Sequence, residues 1–286
     1  MRFTHALSVA LVLAVAATAA SLGRVAGPPA AAPAPAVAAA AAAPVPPADP
    51  FGVAAVRKLR DAQVRVNVPG NVHGAGFCRR SADGTVWVWT CAHVAVHAKV
   101  ATPCPWGLFP PTVSFVPVTV VHRAFTADDL SAGKGEYAAE VVKLDADLDL
   151  ALLRLAGPAP MLGSLDWADA PPPLWTPVLC CGSPRGMDCT VTRGVVSYRD
   201  RLTGHGRMDQ IDAPTLGGNS GGPVCGPDGR VIGLLSGGAG ECFGVVVTAR
   251  RARQFAAAHD LLFAFEGTAP ARPVAGPVEV PAPPSP

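Results

Sequence analysis

From Gln63 to Thr248 the chain consists of short, valine-rich runs parted by turn residues, and that rhythm leaves few folds open. Residues 63–68 alternate apolar and polar side chains, as a strand with one buried face does. Residues 74–80 and 85–91 flank Ala82-Asp83-Gly84 and read as a β-hairpin. Further strands are expected over 113–121, 139–144, 150–155, 176–182, 190–198, 210–212, 230–236 and 244–248. Many short strands at such spacing predict an all-β sandwich or barrel. One helix is expected, over 249–259, with Thr248 as its cap. Residues 98–111 and 122–136 show no regular pattern and read as loops.

The ends of the chain differ from this middle. Residues 1–24 have a weakly basic start (Arg2, His5), an apolar run from Ala6 to Ala20 and small residues at 17–19, the pattern of a signal peptide. The uncharged run continues to Gly23, so 6–23 also reads as a retained anchor, although it is short for a full span. Both readings predict export, to the periplasm or outside, with membrane attachment only if the segment is kept. Residues 25–50 are nearly all alanine, proline and valine and read as a disordered linker; 267–286 repeat that composition as a tail. One domain over 51–266 remains, and with half of all residues apolar it can bury a sizeable core.

A net charge of +2 with scattered basic residues gives no basis for nucleic-acid binding. Eight cysteines behind a signal-like segment predict an oxidising compartment and up to four disulfides, among 105 formal pairings. With no Cys-x-x-Cys pair, and with Cys180 adjacent to Cys181, zinc ligation is not expected.

Chemistry is concentrated in Gly217-Gly218-Asn219-Ser220-Gly221-Gly222-Pro223. Glycines on both sides of a serine let the backbone turn sharply and let a second molecule approach. A nucleophilic serine needs that, together with a base in reach and N–H groups aimed at the oxyanion, for which Gly218 and Ser220 are the natural donors. The same composition also makes ordinary turns, so other residues must decide. Of seven histidines, His93 alone follows a strongly patterned strand, Val86-Trp87-Val88-Trp89-Thr90, where rigid scaffold would hold a general base. His97 lies four residues on, the spacing of two metal ligands, but no glutamate follows His93 and no third ligand is evident, so no metal is expected. Asp149 stands at the mouth of the apolar run 150–155 and suits a carboxylate that orients the imidazole, whereas Asp145 and Asp147 belong to the turn before it.

Thr90-Cys91-Ala92-His93, Asp149-Leu150-Ala151-Leu152-Leu153 and Gly218-Asn219-Ser220-Gly221-Gly222-Pro223, in that order, resemble the trypsin-like serine peptidases. Gly74-Ala75-Gly76-Phe77 and Asp212-Ala213-Pro214 are closer to the bacterial HtrA/Deg branch, and the resemblance spans most of 63–260. It implies two packed six-stranded antiparallel β-barrels with His93, Asp149 and Ser220 in the cleft between them, acting on protein or peptide substrates without cofactor. It further implies Pro214 as a pocket floor and Ser236-Gly237-Gly238 as the strand that pairs with substrate backbone. With no carboxylate at Pro214 the expected preference is for a small or medium apolar residue before the scissile bond, unless Glu241 intrudes.

Departures from the family are informative. Asn219 replaces the aspartate that pairs with a newly cut N-terminus, and no activation site is present, which implies a site assembled without proteolytic activation. With only a short helix and a Pro/Ala-rich tail after the domain, no PDZ domain is expected. Cysteines are absent from the positions the secreted enzymes bridge; a bond from Cys225 to Cys180 or Cys181 is the expected substitute. Two other functions fit some features. Gly218-Asn219-Ser220-Gly221-Gly222 matches the Gly-x-Ser-x-Gly elbow of α/β-hydrolase esterases, but it lacks the strand before and the helix after. The same fold could also serve as an inactive binding module, although all three expected catalytic residues are present.

Overall fold

The computed structural model describes residues 49–103, 111–238, 242–272 and 274; the signal-like segment, nearly all of the linker and most of the tail lie outside them. Helix α1 (Val53–Ala62) leads into strand β1 (Gln63–Val68), in which Val64, Val66 and Val68 are buried while Arg65 and Asn67 face outward. β-Branched residues in alternation fill a pleated, half-buried surface well. The expected hairpin forms from β2 (Val72–Arg80) and β3 (Val86–Thr90), with Phe77 opposite Trp89 and Arg80 opposite Val86. Next come a single turn of helix, α2 (Ala92–Ala95), and a two-stranded ribbon of β4 (Lys99–Thr102) and β5 (Thr112–Phe115). Strands β6 (Val118–Phe125), β7 (Ser131–Asp145) and β8 (Leu150–Leu155) close the first barrel in the order β1-β2-β3-β8-β7-β6.

The second barrel is built from β9 (Pro177–Gly182), β10 (Thr190–Thr203), β11 (Gly206–Ile211), β12 (Pro223–Cys225), β13 (Val231–Gly238) and β14 (Gly244–Thr248). Its order is β10-β11-β14-β13-β12-β9, and every pairing in both barrels is antiparallel. Closure leaves neither sheet an open edge along most of its length. The fold is therefore the all-β double barrel that the strand pattern and the resemblance imply.

Each barrel has its own core, Val66, Val88, Val120 and Leu153 in the first, and Val178, Val196, Ile211 and Val246 in the second. A third cluster draws on both barrels and on two C-terminal helices, α3 (Ala249–Ala258) and α4 (Leu262–Glu266). Trp89 meets Trp167 edge to face at 5.2 Å and Phe255 at 5.8 Å, while Trp167 stacks on Phe265 at 5.3 Å. Thr248 caps α3 as expected, its hydroxyl accepting from the Arg251 N–H at 3.4 Å.

Five sequence expectations need correction, the first being the loop over 98–111, in which Lys99–Thr102 form β4. Residues 122–136 are not a loop: β6 and β7 continue as a hairpin ribbon, pairing Phe125 with Ser131. Residues 113–121 are two strands, β5 and β6, rather than one. The helix over 249–259 has company in α1, α2 and α4. The seven described cysteines form no disulfide, so the bond from Cys225 to Cys180 or Cys181 is not made; Cys104 lies outside the described residues. Cys225 and Cys180 instead pack as small apolar side chains in the cores.

Candidate active site

His93 sits in α2, the turn of helix that begins as β3 ends, so the buried strand fixes its backbone. Asp149 closes the turn from β7 into β8 with φ 53°, in the left-handed region, and only 1% of its surface is exposed. The two meet. Asp149 accepts the His93 backbone N–H at 3.1 Å, and its two oxygens lie 2.9 and 3.0 Å from His93 Nδ1. A proton on Nδ1 leaves Nε2 as the basic nitrogen. Burial by itself would raise the Asp149 carboxyl, but the bond from His93, the His93 charge and the Ser236 hydroxyl outweigh it and hold the group below the usual carboxylate range.

Ser236, on β13, joins the three expected residues. Its hydroxyl donates to Asp149 Oδ2 at 2.5 Å, while its carbonyl accepts from the Ser220 hydroxyl at 3.0 Å. In this structure Ser220 therefore points its hydroxyl at Ser236 rather than at the His93 ring. The Ser220 carbonyl accepts from the Ala75 N–H at 2.7 Å, which seats the serine loop against β2. Gly218 and Gly221 adopt φ of 102° and 88°, and a Cβ at Gly221 would strike the Ala75 carbonyl and the Thr90 hydroxyl. Among the described residues, the N–H groups of Gly218 and Ser220 donate to no protein acceptor, while their neighbours Asn219 and Gly221 bond Leu216 and Leu235. N–H groups left without a protein acceptor at a serine and two residues before it are free to receive negative charge.

Asn219 is buried against Gly182, and its Oδ1 has no partner. A neutral amide there needs no cation. Of the residues expected at a pocket, Ser236 is buried, Gly237 and Gly238 extend β13, and Pro214 is exposed; Glu241 is outside the described residues. Thr215, not among the residues expected at the pocket, is the side chain that packs against β13 and β14 there. It lies against Gly238, and a Cβ on Gly244 would come within 2.9 Å of its Cγ2. Its hydroxyl is buried without a partner. Only the cross-strand register, Gly238 opposite Gly244, reveals this packing, and the sequence carries no local sign of it.

Cys91 completes the surroundings: its thiol donates to the Leu235 carbonyl at 3.4 Å and, with His93 and Asp149, forms a group of ligand-type atoms within 4.8 Å of one another. Burial, and then the charge of Asp149, push that thiol well up, so it stays protonated. The Asp149 oxygens are already engaged by His93 and Ser236. His97 lies apart, exposed in the short turn Val96–Ala98.

Residues 74–234 match the model of the family described as "Trypsin-like peptidase domain". Magnetosome formation protease MamE of Paramagnetospirillum magneticum is 32% identical over 144 residues, covering 47% of this chain and 20% of that protein. A probable periplasmic serine endoprotease, DegP-like, of Marinomonas is 40% identical over 105 residues, covering 35% and 22%. The chain thus spans about a fifth of the length of these relatives. Among solved structures, the active form of the Rv3671c protease from M. tuberculosis is 26% identical with a TM-score of 0.53, covering 71% of this chain and 82% of that one.

Proposed function

The chain belongs to the trypsin-like peptidase family, and from that premise we propose that it is an exported serine endopeptidase in which His93, Asp149 and Ser220 act together. The observation that carries this reading is the pairing of His93 Nδ1 with a carboxylate 1% exposed, tied through Ser236 to the serine. Ser220 Oγ turns from the Ser236 carbonyl toward His93 Nε2, loses its proton to that nitrogen and attacks the scissile carbonyl. Asp149 keeps the imidazole in the useful tautomer and stabilises its charged form. Gly218 and Ser220 N–H groups receive the oxyanion, the amine leaves with the proton from His93, and water then hydrolyses the acyl-enzyme by the same path. No step calls for a metal or cofactor.

An extended peptide would lie along Ser236-Gly237-Gly238, its side chain before the scissile bond entering the slot that Thr215 narrows. That favours alanine-sized residues over leucine or phenylalanine, and with no acid described in the slot a basic side chain has no counter-ion. Export rests on the signal-like segment 1–24 and on the periplasmic relatives. Among the described residues no helix is long and apolar enough to cross a membrane.

A fluorophosphonate probe with intact-mass readout tests the assignment. Wild type should gain one probe mass and Ser220→Ala none. Folded wild type that stays unlabelled would instead favour the binding-module reading, for which the Ser220–Ser236 bond is the one supporting observation.

A further inference from the structure

A cleft of about 660 Å³ lies where the β7–β8 turn (Ala146, Asp147), the tip of the β10–β11 hairpin (Gly204, Arg207) and the first turn of α3 (Arg250, Arg251) come together. Its lining sets three arginines, Arg207, Arg250 and Arg251, against one carboxylate, the exposed Asp147. Arg251 is 7% exposed and has no carboxylate within 4.0 Å among the described residues. Its Nη1 and Nη2 donate to the carbonyls of Arg207 and Asp147 at 3.1 and 2.9 Å, and its Nε has no acceptor. Arg207 and Arg250 share one half-exposed carboxylate, Asp200, each at 3.3 Å. Helix α3 has no acidic residue in its first turn and places two arginines there, where the macrodipole opposes cations. The charges of Asp149 and Asp145 reach Arg251 only from beyond contact distance; a buried guanidinium with no carboxylate in contact is costly, and guanidiniums grip carboxylates in two-point geometry.

We infer that this cleft binds carboxylates, received by Arg207 and Arg250 in exchange for Asp200, with Arg251 supplying positive charge from within. A volume of this size takes a chain end of a few residues or a small polycarboxylate. The site also bears on the catalytic centre proposed above. Arg251 holds the carbonyl of Asp147 inside the turn that the Asp149 N–H closes on the Ala146 carbonyl at 3.3 Å, so the guanidinium that senses the ligand braces the backbone of Asp149. Occupancy firms that turn and raises turnover without changing substrate affinity.

Binding is measured on the Ser220→Ala protein, which separates this test from any failure of hydrolysis. Calorimetric titration at fixed ionic strength uses three probes: citrate, the tripeptide Ala-Glu-Glu as free acid, and its C-terminal amide. Citrate is expected to bind, and Arg207→Ala/Arg250→Ala to weaken it at least about tenfold, the scale of one charge-assisted hydrogen bond. Binding of the free acid but not the amide assigns the ligand to a chain end; binding of citrate alone assigns it to a small polycarboxylate. No heat with any probe, or equal affinity in the double variant, overturns the site. With the active protein, citrate should raise kcat and leave KM, and the double variant should keep its basal rate and lose the response. A citrate effect that survives in the double variant overturns the coupling.

Discussion

Asp149 shows how much one residue's surroundings must supply before a carboxylate can orient an imidazole as the proposed general base needs. Its backbone takes a conformation few residues other than glycine adopt, and its carboxylate is almost wholly out of water. The donors that surround it more than offset that burial. A ¹³C-carboxyl titration should therefore find Asp149 ionising below the ordinary aspartate value. Because the folded value lies below the unfolded one, its contribution to stability is present above the ordinary aspartate value and is lost as pH falls through the lower folded value. Asp149→Asn keeps the size but favours the wrong imidazole tautomer, and kcat is expected to fall on the order of 10⁴-fold in steady-state assays with the fold retained. Thr215 gives a second prediction. Thr215→Ala widens the slot against Gly238 and Gly244, and the ratio of kcat/KM for leucine over alanine before the scissile bond should rise by roughly 10-fold or more. An unchanged ratio would remove Thr215 from the pocket. The sequence marks His93, Asp149 and Ser220 because each sits at a strand end or between glycines, a local sign. It does not mark the bridge at Ser236 or the filling by Thr215, because both depend on which strand lies opposite which.

Elements were legible where one face is buried and one is not. β1 and β8 alternate or run apolar and stand where the pattern puts them. The outer part of β7 is largely exposed along its first eight residues, so the ribbon with β6 has no buried face to imprint a period, and the sequence reads as loop. β12 is only three residues long, too short for any pattern. α1 has no side-chain cap and forms through tertiary contacts: Leu59 and Ala62 enter the shared core, while Arg57 and Arg60 both reach Asp129 at 3.0 Å on the β6–β7 turn. α3 depends on the same principle more strongly, because Phe255 is fully buried against Trp89. Phe255→Ala should cost about 3–5 kcal/mol in urea unfolding, against about 1 kcal/mol for removing the cap with Thr248→Ala. Equal losses would mean that α3 is held by its own hydrogen bonds rather than by the aromatic cluster.

For the whole molecule, the cysteines are where composition misled. Eight of them behind an export-like segment read as a disulfide framework, an inference suited to small domains that lack a core. This chain closes two barrels and adds a third apolar cluster, so it has core enough, and the six buried thiols among the described residues serve as packing. Counting residues cannot distinguish the two uses; burial can. Cys78, Cys91, Cys180, Cys181 and Cys225 are enclosed, and burial pushes Cys78 and Cys180 up to about 12 and raises Cys91, Cys181 and Cys225 well above the ordinary thiol value, leaving almost no thiolate for exchange. Cys242 is exposed. Cys189 is intermediate: it is buried beside Gln63 Oε1 at 3.0 Å, but a hydrogen bond from Cys181 lowers its thiol. Native alkylation followed by peptide mapping should modify Cys242 first and Cys189 next, on local opening, with the other five protected until denaturant is added. Reduction with dithiothreitol should leave the melting temperature unchanged, since no bond among these seven is there to break. A two-dalton mass gain on reduction that maps to any pair of them would show that the oxidised protein is locked in a way this packing does not contain.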